Sequence, residues 1–172
     1  MTRCAVLLRG INVGRGNRLA MSDLRAVLEG LGCRDVATYL QSGNAVVDAD
    51  PEGLAARVEA ALPLAVRVLV LPAPELSAAV AGCPWPERAA AHPKLVHVTY
   101  LERALTPQEL APLVGQHGGD ELAAGERVLY SSYAVSSLDS PLATLLGRSR
   151  LDVVMTTRNW TTATRLAELA AG

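Results

Sequence analysis

Glycine and arginine crowd together behind the first apolar run, in Arg9-Gly10-Ile11-Asn12-Val13-Gly14-Arg15-Gly16-Asn17-Arg18. Glycine lets a backbone turn tightly and aim amide N–H groups at an anion. A helix start behind such a turn adds partial positive charge. The guanidinium groups of Arg9, Arg15 and Arg18 are planar forks suited to phosphate or carboxylate oxygens. Residues 1–25 hold five arginines (3, 9, 15, 18 and 25) against the single acid Asp23. The chemistry this segment could do is anion binding by Arg9, Gly10, Asn12, Gly14, Arg15, Asn17 and Arg18. The plainer reading is a long turn with solvated arginines, and both stay open here. It is no dinucleotide fingerprint, because Leu19 stands where the third glycine would be and Tyr39-Leu40-Gln41 offers no ribose-binding acid. No Gly-Lys-Ser/Thr follows, so it is no Walker loop.

Two further segments carry polar groups at element ends. Thr156-Thr157-Arg158-Asn159-Trp160 enters the last predicted helix. Arg158 and Asn159 could join the first loop in one pocket, although capping and packing explain them with fewer assumptions. Gln41-Ser42-Gly43-Asn44 reads as a tight turn; Ser42 and Asn44 are candidate ligand contacts, with turn formation the simpler role. His92, His97 and His117 show no metal-ligand spacing, and no catalytic triad, HExxH or nucleophile-elbow pattern stands out. No catalytic residue can be named, and neither metal nor cofactor is expected. Cys4, Cys33 and Cys83 form no CxxC pair; Cys4 reads as a small buried hydrophobe and Cys33 as a turn residue.

The elements that must position these segments follow from apolar spacing. Arg3–Arg9 is a strand buried on both faces. Met21, Leu24, Val27, Leu28 and Leu31 make one helical stripe ending at Gly30 and Gly32. Strands over Asp35–Leu40 and Ala45–Asp48 flank the Gln41–Asn44 turn. Asp50-Pro51 predicts a helix start, Pro63 its end, and Ala65–Leu71 a strand. The order is β-α-β-β-α-β. A proline-rich stretch with a short helix follows. The order then recurs: a strand over Leu95–Leu101, a helix opened by the capping box Thr106-Pro107-Gln108-Glu109, a hairpin around Ala124-Gly125, a helix capped by Ser140, and a strand over Asp152–Thr156. A closing helix starts near Asn159. The expected fold is α+β: two tandem ferredoxin-like (βαββαβ) plaits packed together, plus a C-terminal helix. The expected division is 1–72 for the N-terminal plait, 73–93 for a linker with a short helix, and 94–172 for the C-terminal plait with the terminal helix.

Composition narrows the function classes. Half of the 172 residues are hydrophobic and 19% are charged, which predicts a packed core and argues against disorder. The formal net charge is −1, so nucleic acid held by blanket positive charge is not expected. The central strands of the first half carry no aromatic residue. Tyr100, Tyr130 and Tyr133 in the second half do not match the RNP1 pattern of RNA-binding plaits. No apolar run approaches the roughly 18–20 residues of a membrane span, and no charged-then-apolar leader opens the chain. A cytoplasmic location is expected, without membrane partners.

The strings LLRGINVGRGN, MSDLRAVLEGLG, TYLQSGNAVV and TTRNW resemble the bacterial family catalogued as domain of unknown function 1697. The resemblance spans most of the chain. It implies two plait-like α/β halves, and it marks Arg9, Gly10, Asn12, Gly14, Gln41, Ser42, Gly43, Asn44, Arg158, Asn159 and Trp160 as motif positions. The leading functional expectation is binding of a small phosphate- or carboxylate-bearing ligand, a nucleotide or phosphorylated metabolite, at the glycine–arginine loop. The alternatives are an enzyme acting on a phosphorylated or acyl substrate, with Arg9 or Arg158 as electrostatic stabiliser, and a protein-interaction or RNA-binding module.

Overall fold

Sixteen elements follow one another along the chain, and a computed structural model describes all of residues 1–172. They are β1 (Thr2–Leu8), α1 (Met21–Gly30), β2 (Arg34–Tyr39), β3 (Asn44–Ala49), α2 (Leu54–Ala61), β4 (Val68–Pro72), α3 (Ala73–Ala81), α4 (Pro86–Ala91), β5 (Val96–Leu101), α5 (Pro107–Leu110), β6 (Gly115–His117), β7 (Asp120–Ala124), β8 (Val128–Ser132), α6 (Pro141–Arg148), β9 (Met155–Asn159) and α7 (Trp160–Ala171). The fold is α+β, built on two antiparallel sheets. Two compact units divide the residues: Met1–Ala78 with Arg165–Gly172, and Ala79–Thr164. No helix is long and apolar enough to cross a membrane.

In the first unit the strands lie in the order β2-β3-β1-β4. On the inner strand β1, Cys4 to Leu8 are uncharged and fully buried. Cys4, Val6 and Leu8 face Leu24 and Leu28 of α1 and Leu54 and Val58 of α2, so both helices share one side of the sheet. Burying each such leucine contributes roughly 1.5–3 kcal/mol. Helix α1 ends in a Schellman arrangement: the Cys33 amide donates to Leu28 O and the Gly32 amide to Glu29 O, with Gly32 at φ +85°. Helix α2 starts three residues later than Asp50-Pro51 suggests, behind Gly53 at φ +64°. Asp50 instead forms a turn, its carboxylate accepting from the Glu52 amide at 3.1 Å.

The second unit orders its strands β6-β7-β8-β5-β9. Leu101, Leu113, Leu122, Leu129 and Leu142 form its core with Tyr133 and Val153. The capping box on α5 is present, with Glu109 N donating to Thr106 Oγ1 at 3.2 Å and Thr106 N to Glu109 Oε2 at 2.8 Å. Ser140 caps α6 through the Ala143 amide at 2.9 Å. Two of its strands differ from the sequence-based expectation. Strand β6 is additional; it turns into β7 through Gly118 and Gly119, both at positive φ, a pair suited to a two-residue hairpin. The last strand begins at Met155, not Asp152. Val153 and Val154 are buried without laddering to β5, while the polar run Met155–Asn159 makes that ladder. β-branched composition misplaces the strand because burial and pairing part company over these residues.

Candidate functional site

The loop between β1 and α1 is held by asparagine. Asn12 adopts φ +54°, a left-handed conformation that asparagine tolerates better than most residues. Its amide N–H donates to Asn17 O at 2.9 Å, which pinches the loop into a closed lobe. Its side chain works in both directions. Nδ2 donates to Leu19 O at 2.8 Å and Oδ1 accepts from Leu19 N at 3.0 Å. Nδ2 also donates to Gln41 O at 2.6 Å, across to the β2–β3 turn. Asn17 Nδ2 reaches Gly10 O at 3.4 Å, and Arg18 Nη2 closes on Gly14 O at 2.8 Å. Gly10 and Gly14 take φ +67° and +61°, so the loop bends left-handed at four positions within eight residues.

The facing turn is packed against the same strand. Gly43 is buried at φ +75°, and a Cβ there would stand 2.6 Å from Leu8 Cβ and 2.9 Å from Ile11 Cδ1. Its carbonyl accepts from the Leu8 amide at 2.8 Å. Asn44 is fully buried, donating to Tyr39 O at 3.1 Å and Ser42 Oγ at 3.0 Å. The structure thus brings the first and third polar segments of the sequence together.

What the lobe displays is positive charge. Arg9 and Arg15 are exposed, and neither guanidinium takes part in a hydrogen bond or ion pair. The other early arginines are engaged. Arg3 pairs with Asp35 at 2.9 Å and Asp48 at 3.4 Å, Arg25 donates to Val36 O, and Arg18 is tied to Gly14. No carboxylate shares a hydrogen bond with the lobe, whose bonds all run between amides or guanidinium and amide oxygens. Helix α1 follows with Ala20 at its N-cap and no side-chain cap on its first amides.

The model of the family "Protein of unknown function (DUF1697)" matches residues 1–130, which include the whole lobe and its facing turn. The chain belongs to the DUF1697 family. Among solved structures, a conserved bacterial protein of Streptococcus pneumoniae, SP0830, is similar over 98% of each chain, with a TM-score of 0.77 and 22% identity. That likeness is one of fold. No curated protein matches the chain by sequence.

The family match ends before Arg158, Asn159 and Trp160, which lie in the second unit. Arg158 is buried on β9, where Nη1 donates to Thr156 Oγ1 at 2.7 Å and Thr157 O at 2.9 Å. Burial holds its pKa below the usual guanidinium value, at about 10. Asn159 caps α7, its Oδ1 accepting from the Thr162 amide at 3.0 Å. Tyr100, Tyr130 and Tyr133 are buried, and Tyr130 donates to Ala79 O at 2.8 Å, so these rings present no exposed platform. His97 packs edge-on against Tyr133, and burial lowers its pKa. All three cysteines are free thiols with raised pKa values, Cys4 being pushed up to about 11 chiefly by burial. No group of three His, Cys, Asp or Glu side chains is placed to hold a metal.

Sequence reading names Asn12 and the turn residues separately and misses that Gln41 joins them. The bond goes to the main-chain oxygen of Gln41, so its side chain carries no signal of it. Leu40, exposed and at φ +56°, is a second omission, since leucine gives no sign of a left-handed backbone.

Proposed function

We propose that this DUF1697 protein binds a small phosphate- or carboxylate-bearing ligand, such as a nucleotide or phosphorylated metabolite, on the Gly10–Arg18 lobe. The observation that carries this reading is the pair Arg9 and Arg15, left without an internal partner on a loop whose other polar side chains, Asn12, Asn17 and Arg18, are all engaged. A solvated connector has no need of such bracing. Asn12, Asn17, Ser42 and Asn44 shape the lobe, while Arg9, Arg15 and the uncapped first amides of α1 supply attraction for an oxyanion. Binding is favoured over turnover because no histidine or carboxylate shares the lobe's hydrogen bonds to act as a general base.

The same reading takes each unit as a ferredoxin-like plait. The order β2-β3-β1-β4 supports it in the first unit. In the second, β7-β8-β5-β9 supports it, with β6 added at the edge. It also takes the protein as cytoplasmic.

Thermal unfolding tests the proposal, with inorganic phosphate, ATP and a phosphorylated sugar as probes. At ten times its Kd a ligand adds about 1.4 kcal/mol, which raises Tm by roughly 3–6 °C in a chain of this size. Wild type should show that rise with at least one probe, and the Arg9→Ala/Arg15→Ala variant should not. Equal shifts in both proteins, or none in wild type, would overturn the assignment.

A further inference from the structure

The second unit contains a hollow of about 290 Å³ between the end of α5 and the end of α6, at the lower edge of small-ligand pocket sizes. Its walls are apolar: Pro112, Leu113, Leu145 and Leu151. Leu113 is buried, while Leu145 and Leu151 are only half-covered. Ser149 and three charged residues, Glu109, Arg148 and Arg150, complete the lining.

The three charges are not equivalent. Glu109 is consumed internally, because Arg103 grips both of its oxygens at 2.8 and 2.9 Å and the Thr106 amide adds a third bond. Arg103 donates also to Ala104 O and Asp152 O. Arg148 and Arg150 are exposed and have no partner. Nor are they needed to finish α6. The Ser149 amide already donates to Leu145 O at 2.9 Å, and Ser149 Oγ to Leu146 O at 2.7 Å. The hollow therefore combines leucine and proline walls with two unspent arginines in its lining, and its only carboxylate is neutralised.

We propose that this hollow binds a small amphiphilic organic acid of about ten heavy atoms in all, its apolar body seated on the leucines and its single oxyanion head held by Arg148 and Arg150. A bare inorganic anion leaves the leucine floor wet. A neutral apolar molecule leaves the two guanidinium groups unanswered. This site is independent of the Gly10–Arg18 lobe, and its test does not involve Arg9 or Arg15.

Amide proton–nitrogen correlation spectra of the whole protein, titrated with octanoate, test the assignment. Saturable shifts are expected at Glu109–Leu113 and Leu145–Leu151. Charge-pair contributions of the usual size make binding about tenfold weaker in Arg148→Gln/Arg150→Gln, and about tenfold weaker for neutral octanamide on wild type. Both substitutions are at exposed positions and leave the core untouched. Four results would overturn the proposal: no saturable shift, shifts confined to other residues, equal affinity for octanoate and octanamide, or inorganic phosphate producing the same shifts at equal affinity.

Discussion

Asn12 Nδ2 lies 2.6 Å from the main-chain oxygen of Gln41, joining two loops that are 29 residues apart in sequence. The bond ties the lobe behind β1 to the turn between β2 and β3, and the same side chain also grips both main-chain groups of Leu19. Removing it leaves several polar groups to find water. Asn12→Ala should lower stability by about 1–3 kcal/mol, read as a reduced urea midpoint with unchanged slope. Asn12→Gly keeps the left-handed backbone accessible, so it should separate the loss of the bonds from the loss of the conformation. A wild-type midpoint in both variants would mean that the bond contributes nothing.

Gly43 has neither the room nor the backbone angle for a side chain. A Cβ at that position meets Leu8 Cβ at 2.6 Å, and φ is +75°. Gly43→Ala combines left-handed strain with overpacking and should cost about 2–4 kcal/mol. Gly14 sits at φ +61° in open space, so Gly14→Ala should cost only the strain, about 1 kcal/mol. Calorimetry on the two variants checks the ordering; the reverse order would refute the packing argument.

Asp120 ties the N-terminus of α6 to β7. Its buried carboxylate accepts from Ser140 Oγ at 2.5 Å and from the Ala134 amide at 2.8 Å, while Ser140 caps the helix. Asp120→Ala leaves the buried Ser140 hydroxyl and the part-buried Ala134 amide without an acceptor, for a loss of about 2–4 kcal/mol. Ser140→Ala removes the cap and one bond, about 1–2 kcal/mol. The two losses should not add, because they share one network; a denaturation double-mutant cycle measures this directly.

The Arg103 side chain, and after it the Thr106 backbone, hold the Glu109 carboxyl down at about 2, against an ordinary 4.5. A depressed carboxylate contributes stability above its unfolded pKa and loses it as pH falls through the folded one. The contribution of Glu109 is therefore complete above about pH 5 and fades between about pH 4.5 and 2. Glu109→Gln should lower stability at pH 7 and converge on wild type near pH 2. Parallel stability curves over that range would rule the linkage out.

Cys4 shows the opposite direction. Burial raises its thiol from 9.0 to about 11, so the folded state holds the proton more tightly than the unfolded chain. That stabilisation is full below about pH 9 and is lost between about pH 9 and 11. At pH 8 the native thiol should resist a disulfide reagent such as dithionitrobenzoate and react only on unfolding. Stoichiometric labelling of Cys4 in the folded protein would contradict this.

The sequence alone determined most elements of secondary structure, because they rest on local rules. The apolar run of β1, the stripe of α1, the Thr106–Glu109 box and the Ser140 cap are each written within a few residues. The motif positions of the DUF1697 family could be read the same way. Only the tertiary structure decided which of those positions act together. Asn12 meets a carbonyl whose residue type is irrelevant to the bond, and Gly43 is required by Leu8 and Ile11, which are distant in the chain. Five arginines look alike in the first 25 residues. Folding gives Arg3, Arg18 and Arg25 internal partners and leaves Arg9 and Arg15 without one. Local propensity can specify an element, but whether a charge finds an internal acceptor depends on the three-dimensional neighbours that packing places beside it.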